Sequence, residues 1–149
     1  MTRDVLIRLS GLQAMEGDEG VVEVITSGDY FWKNNKHYLI YDEVMEGMDG
    51  AIRNTLKLTP EKLEVKKSGP VSANMVFEVD KKTQTHYATP MGEMLVEMTT
   101  SRIDLLEEDD HLKVEVEYSL DINCDHVSDC RIALDITSKS CAKLELGEN

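Results

Sequence analysis

The sequence predicts an all-β protein, a single antiparallel up-and-down β-barrel of about eight to ten strands. Three observations predict it. Apolar residues recur with period two along most of the chain, turn-forming residues separate nearly all of these segments, and no long stretch favours helical spacing.

Val5, Ile7 and Leu9 alternate with Leu6, Arg8 and Ser10, as in a strand with one buried face. Val22, Val24 and Thr26 alternate with Val21, Glu23 and Ile25, and Gly28 then permits a bend before Tyr30-Phe31-Trp32. Lys33-Asn34-Asn35-Lys36 reads as a tight hairpin because Asn tolerates positive φ, and the return strand is His37 to Glu43. Met45 to Gly50 carries two glycines and reads as a loop. Ile52, Asn54, Leu56 and Leu58 share a face. Thr59-Pro60-Glu61-Lys62 then turns the chain into Leu63, Val65 and Lys67, which Ser68-Gly69-Pro70 ends. Val71, Ala73, Met75, Phe77 and Val79 form a long stripe; Asp80 to Thr83 turns the chain and Gln84 to Thr89 follows. After Pro90-Met91-Gly92, Met94, Val96 and Met98 are in phase, and Glu107 to Asp110 is an acidic turn. The clearest stripe is Leu112, Val114, Val116, Tyr118 and Leu120, and the last is Ile132, Leu134 and Ile136. Residues 1–137 read as one barrel domain and 138–149 as a C-terminal tail without periodicity.

Closure follows from the connections. An antiparallel sheet with one apolar face must bury it, and short connections favour neighbour-to-neighbour pairing. A meander curled on itself removes its edge strands, whereas a Greek-key sandwich needs longer crossovers.

Composition narrows the function. The 149 residues suffice for one core that buries roughly 70% of the unfolded surface. With 16 basic and 29 acidic residues the net charge is −13, which opposes nucleic-acid binding through phosphate repulsion. No apolar run approaches the ~18 residues of a membrane span. Met1-Thr2-Arg3-Asp4 leads straight into a periodic segment, so no signal peptide is expected and the location expected is the cytoplasm. The three cysteines, Cys124, Cys130 and Cys141, then read as reduced thiols. Cys124-Asp125-His126 and Cys130 have zinc-ligand chemistry, but C-x-H-x3-C lacks a completing pair and reads as a turn between strands. His37, His86, His111 and His126 are scattered; His86, on a central strand, is the better placed for a haem. No nucleophile elbow, phosphate loop or catalytic dyad appears, so the expectation is no catalytic residue, no metal and no cofactor.

Candidate binding residues come from strand parity. Glu43 shares a face with Leu39 and Tyr41, and Arg102 shares one with Met94, Val96, Met98 and Thr100. An inward Glu43 needs a partner, because a buried charge costs several kcal/mol unless paired. Arg102 is one candidate, Arg53 and Lys67 are others. The aromatic cluster Tyr30, Trp32, Tyr38, Tyr41 and Tyr87 suits either a pocket lining or a filled barrel. The expected ligand-binding set is Tyr30, Trp32, Tyr41, Glu43, Tyr87 and Arg102.

Gly28-x-Tyr30, Tyr41-x-Glu43, Ser68-Gly69, Met75-x-Phe77, Tyr87-x-Thr89-Pro90-x-Gly92 and Tyr118 occur in an order that resembles the YwiB-like family of small bacterial proteins of unknown function. The resemblance runs from about Val5 to Ile136. It implies a calycin-like β-barrel, related in shape to lipocalins and fatty-acid-binding proteins, and carries over no catalytic residue. Lys67 stands where the resemblance leads one to expect Arg before the Ser-Gly pair, which weakens a bidentate anion clamp there.

Three functions rank in order. The first is a module binding a small apolar or amphiphilic ligand in the barrel interior, which requires a cavity of roughly 300 Å³ or more. The second is a homodimeric interaction or structural barrel with a filled core, for which Phe31, Ile25 and Val21 would supply an exposed apolar patch. An enzyme ranks last.

Overall fold

The structure, a computed structural model, describes residues 3–11, 23–44 and 50–139. Val21, Val22, the loop 45–49 and Cys141 lie outside the described residues. Ten strands follow in order: β1 (Asp4–Ser10), β2 (Glu23–Lys33), β3 (Lys36–Glu43), β4 (Ile52–Thr59), β5 (Lys62–Ser68), β6 (Ala73–Glu78), β7 (Lys81–Thr89), β8 (Gly92–Glu108), β9 (His111–Ile122) and β10 (Asp125–Ser138). They form one antiparallel sheet in the order β6-β5-β4-β3-β2-β1-β10-β9-β8-β7, curled into a nearly closed barrel. The fold is the all-β meander barrel that the alternation predicts. Among the described residues no helix is long and apolar enough to cross a membrane.

Local chemistry explains the elements. Asn34 and Asn35 have φ of 53° and 61°, as a two-residue hairpin of the twist-matched kind requires. β2 runs unbroken through Gly28, where the sequence suggested a bend. A Cβ there would stand 2.5 Å from Ile7 Cδ1 and 2.8 Å from the Ile40 carbonyl oxygen, so glycine serves close strand approach instead. The β9–β10 turn is only Asn123–Cys124, and β10 already begins at Asp125, inside the segment expected to be a turn. Val79 and Asp80 make the β6–β7 turn, with Asp80 at φ 64°, so β7 starts at Lys81 rather than Gln84.

The barrel closes unevenly. β1 and β10 pair continuously from Val5↔Ser138 to Ser10↔Ala133. β6 and β7 are joined by a tight turn, yet they share one backbone bridge, Ser72↔Ala88, with both N–H···O distances at 2.9 Å. Between bridge and turn, side chains replace the ladder. The Asn74 N–H donates to Thr85 Oγ1 at 3.3 Å, and the Thr83 hydroxyl donates to the Val76 carbonyl. Neighbour-to-neighbour pairing was expected throughout. It lapses here, and threonine hydroxyls take up edge groups that the ladder leaves open.

The in-phase apolar residues fill the barrel. Val5, Ile7, Leu63, Val65, Val114, Val116 and Ile132 are completely buried. An interior space at the end formed by the tight hairpins, bounded by Tyr30, His37, Leu39 and Leu112, measures about 10 Å³. That is the lower limit for one water molecule. Large side chains fill that end of the barrel: Leu39, Leu56, Leu58, Leu63, Leu112 and Leu134 are each at most 4% exposed.

Candidate functional site

Polar residues enter the interior at both ends. At the end opposite the tight hairpins, Glu43, Asn54 and Lys67 come from the adjacent strands β3, β4 and β5. Register brings them together, with Asn54 opposite both Tyr41 and Lys67, and Glu43 opposite Ile52. The Lys67 ammonium donates to Asn54 Oδ1 at 2.8 Å and to Glu43 Oε1 at 3.0 Å, and Asn54 Nδ2 donates to the same Glu43 oxygen at 3.2 Å. The Lys67 side chain is 1% exposed and that of Glu43 14%. An enclosed charge persists only when paired and hydrogen-bonded, and this cluster supplies both. Burial, reinforced by the Glu43 carboxylate, pushes the Tyr41 phenol pKa well up, so Tyr41 stays neutral. Among the described residues its hydroxyl has no hydrogen-bond partner.

At the hairpin end, Tyr30 Oη lies 2.7 Å from His37 Nδ1, and Glu107 Oε1 lies 3.3 Å from His37 Nε2, too poorly aligned for a full hydrogen bond. Burial holds the His37 pKa below its ordinary value against the pull of Glu107. Tyr30 Oη and His37 Nδ1 share one hydrogen bond, and Nε2 faces Glu107. Burial, with Glu107 adding to it, raises the Tyr30 pKa. Trp32 packs edge-on against His37 with ring centroids 4.7 Å apart and is 56% exposed, so it caps the rim and lines no interior pocket.

Arg102 corrects the parity reading. Thr100 lies opposite Tyr118 and Arg102 opposite Glu117, so Ser101 is an extra residue that bulges β8. The bulge turns Arg102 outward. There it meets Asp104 at 2.7 Å, Glu117 at 2.9 Å and Glu115 at 3.7 Å, and Lys67 takes the place expected of it beside Glu43. Arg53 also stays outside, paired with Asp42 at 3.0 Å. Tyr30, Tyr41 and Tyr87 are buried in the barrel. His86 is exposed on β7, with Glu93 3.9 Å away, so it offers no ligand to a group inside the barrel. Phe31 is partly covered by Arg3, whose guanidinium lies 5.0 Å from the ring centroid, while Ile25 is 55% exposed.

A larger concavity lies outside the barrel. A groove of about 550 Å³ crosses the outer faces of β4 to β7 beside the β6/β7 seam. Thr55 and Lys57 of β4, Lys66 and Ser68 of β5, Asn74 of β6 and His86 of β7 line it.

A model described as a domain of unknown function, DUF1934, matches residues 7–134. The chain belongs to the DUF1934 family. The uncharacterized beta-barrel protein YwiB of Bacillus subtilis (strain 168) is 28% identical to this DUF1934 chain over 107 residues, which are 72% of this chain and 74% of YwiB. The crystal structure of the ywiB protein from Bacillus subtilis matches with a TM-score of 0.72 at 22% identity, covering 91% of this chain and 89% of that chain. The two share a fold, as the ordered residues from Gly28 to Tyr118 implied. DUF1934 is a β-barrel family whose function is unknown.

Asn54 and His37 were missed as interior polar residues, although the signal was present. Each stands in phase with buried neighbours, Asn54 between Ile52 and Leu56 and His37 beside Leu39. The parity argument applied to Glu43 applies equally to them. No one-strand pattern indicates the outer groove, because it needs four strands at once.

Proposed function

We propose that this DUF1934 chain is a binding module that acts through its outer surface, with an interior that serves stability alone. One contrast carries the reading: about 10 Å³ of space in the barrel interior at the hairpin end against about 550 Å³ in the groove outside. Small-molecule sites occupy roughly 300–1,000 Å³, so the groove is of the right size and the interior is not. The buried Lys67–Glu43–Asn54 cluster fits this reading, since its polar atoms are turned toward one another. An apolar or amphiphilic guest would have to displace core side chains such as Leu39, Leu56 and Leu112, each at most 4% exposed.

Native mass spectrometry of the protein purified from its own host tests this. The expected spectrum shows the chain free of apolar adducts, with any bound molecule polar and stripped by salt. A fatty acid or other apolar molecule retained in stoichiometric amount would overturn the proposal.

A further inference from the structure

We propose that the outer groove is a site for a small phosphorylated polyol, of sugar-phosphate size, whose phosphate bridges Lys57 and Lys66. This rests on the surface-acting reading and names its ligand class.

The strand register places the two lysines together. Lys57 lies opposite Glu64 and Thr55 opposite Lys66, so Lys57 and Lys66 are diagonal neighbours on the outer face. Diagonal Cβ atoms in a sheet are about 7–8 Å apart, within reach of long side chains. Among the described residues, neither ammonium has a carboxylate within ion-pair distance; Glu64, which lies opposite Lys57 and also lines the groove, pairs with Lys62 at 3.4 Å. The Lys57 ammonium rests over the Tyr38 ring of β3 at 5.9 Å, a weak contact that it gives up to reach a phosphate shared with Lys66. The chain carries 29 acidic and 16 basic residues, so two adjacent unneutralised ammonium groups reverse the prevailing sign locally. Like charges placed side by side repel, and a dianion between them relieves that repulsion. Lysine is a compact point charge and binds phosphate oxygens without needing a planar partner.

The rest of the lining selects the body of the ligand. Thr55, Ser68, Ser72 and Asn74 bring hydroxyl and amide groups to the groove, suited to a hydroxyl-rich molecule. No Phe, Tyr or Trp is among the described lining residues, so the one ring a nucleobase meets there is the His86 imidazole.

Titration calorimetry at low ionic strength tests the site, with glucose 6-phosphate as probe and glucose, inorganic phosphate and adenosine monophosphate as comparators. Glucose 6-phosphate is expected to bind the wild type most tightly. Lys57→Gln with Lys66→Gln should weaken it about tenfold per lysine. Both side chains lie on the outer face, and circular dichroism checks that this variant keeps the β spectrum. Removing two charges from the far side, Lys113→Gln with Arg131→Gln on β9 and β10, should leave the affinity unchanged. No measurable heat at millimolar probe, or equal binding by the Lys57/Lys66 variant, overturns the site. Tighter binding of adenosine monophosphate or of inorganic phosphate overturns the ligand class. A failed titration with no apolar adduct in the mass spectrum leaves the surface-acting reading standing. A retained apolar adduct removes that reading whatever the titration gives.

Discussion

Lys67 on β5 is almost completely enclosed, and its ammonium meets one carboxylate and one amide oxygen. Arg102 on β8 is 46% exposed and faces three carboxylates. The enclosed cation is the one whose pairing matters more. Exposed ions interact through water and are screened by salt, whereas an enclosed ion left alone keeps its full desolvation cost. The number of partners therefore says little about what a charge contributes; enclosure decides it.

The same contrast recurs between two histidines near the hairpin end. The His37 side chain is 9% exposed, and burial outweighs Glu107, so its pKa is lowered. The His111 side chain is 33% exposed; burial lowers its pKa too, but hydrogen bonds to Asp135 at 2.7 Å and Glu108 at 3.3 Å outweigh it, so its pKa is raised. Enclosure shifts one histidine toward its neutral form, and partners shift the other toward its charged form.

Removing the enclosed cation should have the largest effect. Lys67→Met removes the cation that balances Glu43 and should cost about 3–5 kcal/mol in urea unfolding. Adding Glu43→Met should restore much of that loss, because no buried charge then remains. A cost below about 1 kcal/mol for the single change would mean that the cluster is hydrated and the contrast with Arg102 is void.

An intermediate effect is expected from the histidines, with opposite signs. Below the ordinary pKa near 6.5 the unfolded chain binds a proton that folded His37 refuses, so His37 costs stability as pH falls through that value. Folded His111 binds its proton more tightly than the unfolded chain, so its stabilisation is complete below about 6.5 and is lost as pH rises through the raised folded value. Melting temperatures between pH 5.5 and 8 should show it: His37→Asn flattens the acid side of the wild-type profile, and His111→Gln flattens the alkaline side. Both variants following the wild-type profile in parallel would break the comparison.

The smallest effect belongs to Arg102→Ala, expected to cost less than about 1 kcal/mol and to shrink further in high salt. A larger, salt-independent loss would show that the bulge at Ser101 depends on the arginine rather than on the sheet.

Alternation made the barrel legible. Val5, Ile7 and Leu9, or Leu112, Val114 and Val116, declare a buried face without any knowledge of their neighbours. Parity also reached Glu43 and named Lys67 among its possible partners. It failed at Arg102, because one inserted residue reverses every side chain that follows and leaves no mark in the local pattern. It also failed to find the β6/β7 seam, where sequence neighbours joined by a two-residue turn nonetheless separate.

What the chain determines alone is periodic: which residues face the interior, where hairpins turn, and the cylinder that buries one side of a meander. These follow from the two-residue repeat of a strand and from the positive φ that Asn accepts. Tertiary structure alone decided which cation meets Glu43, that large side chains fill the hairpin end of the barrel, and that Lys57, Lys66 and Asn74 share one groove. Those outcomes depend on register across several strands and on the volume left between them, and neither quantity is written in any single strand.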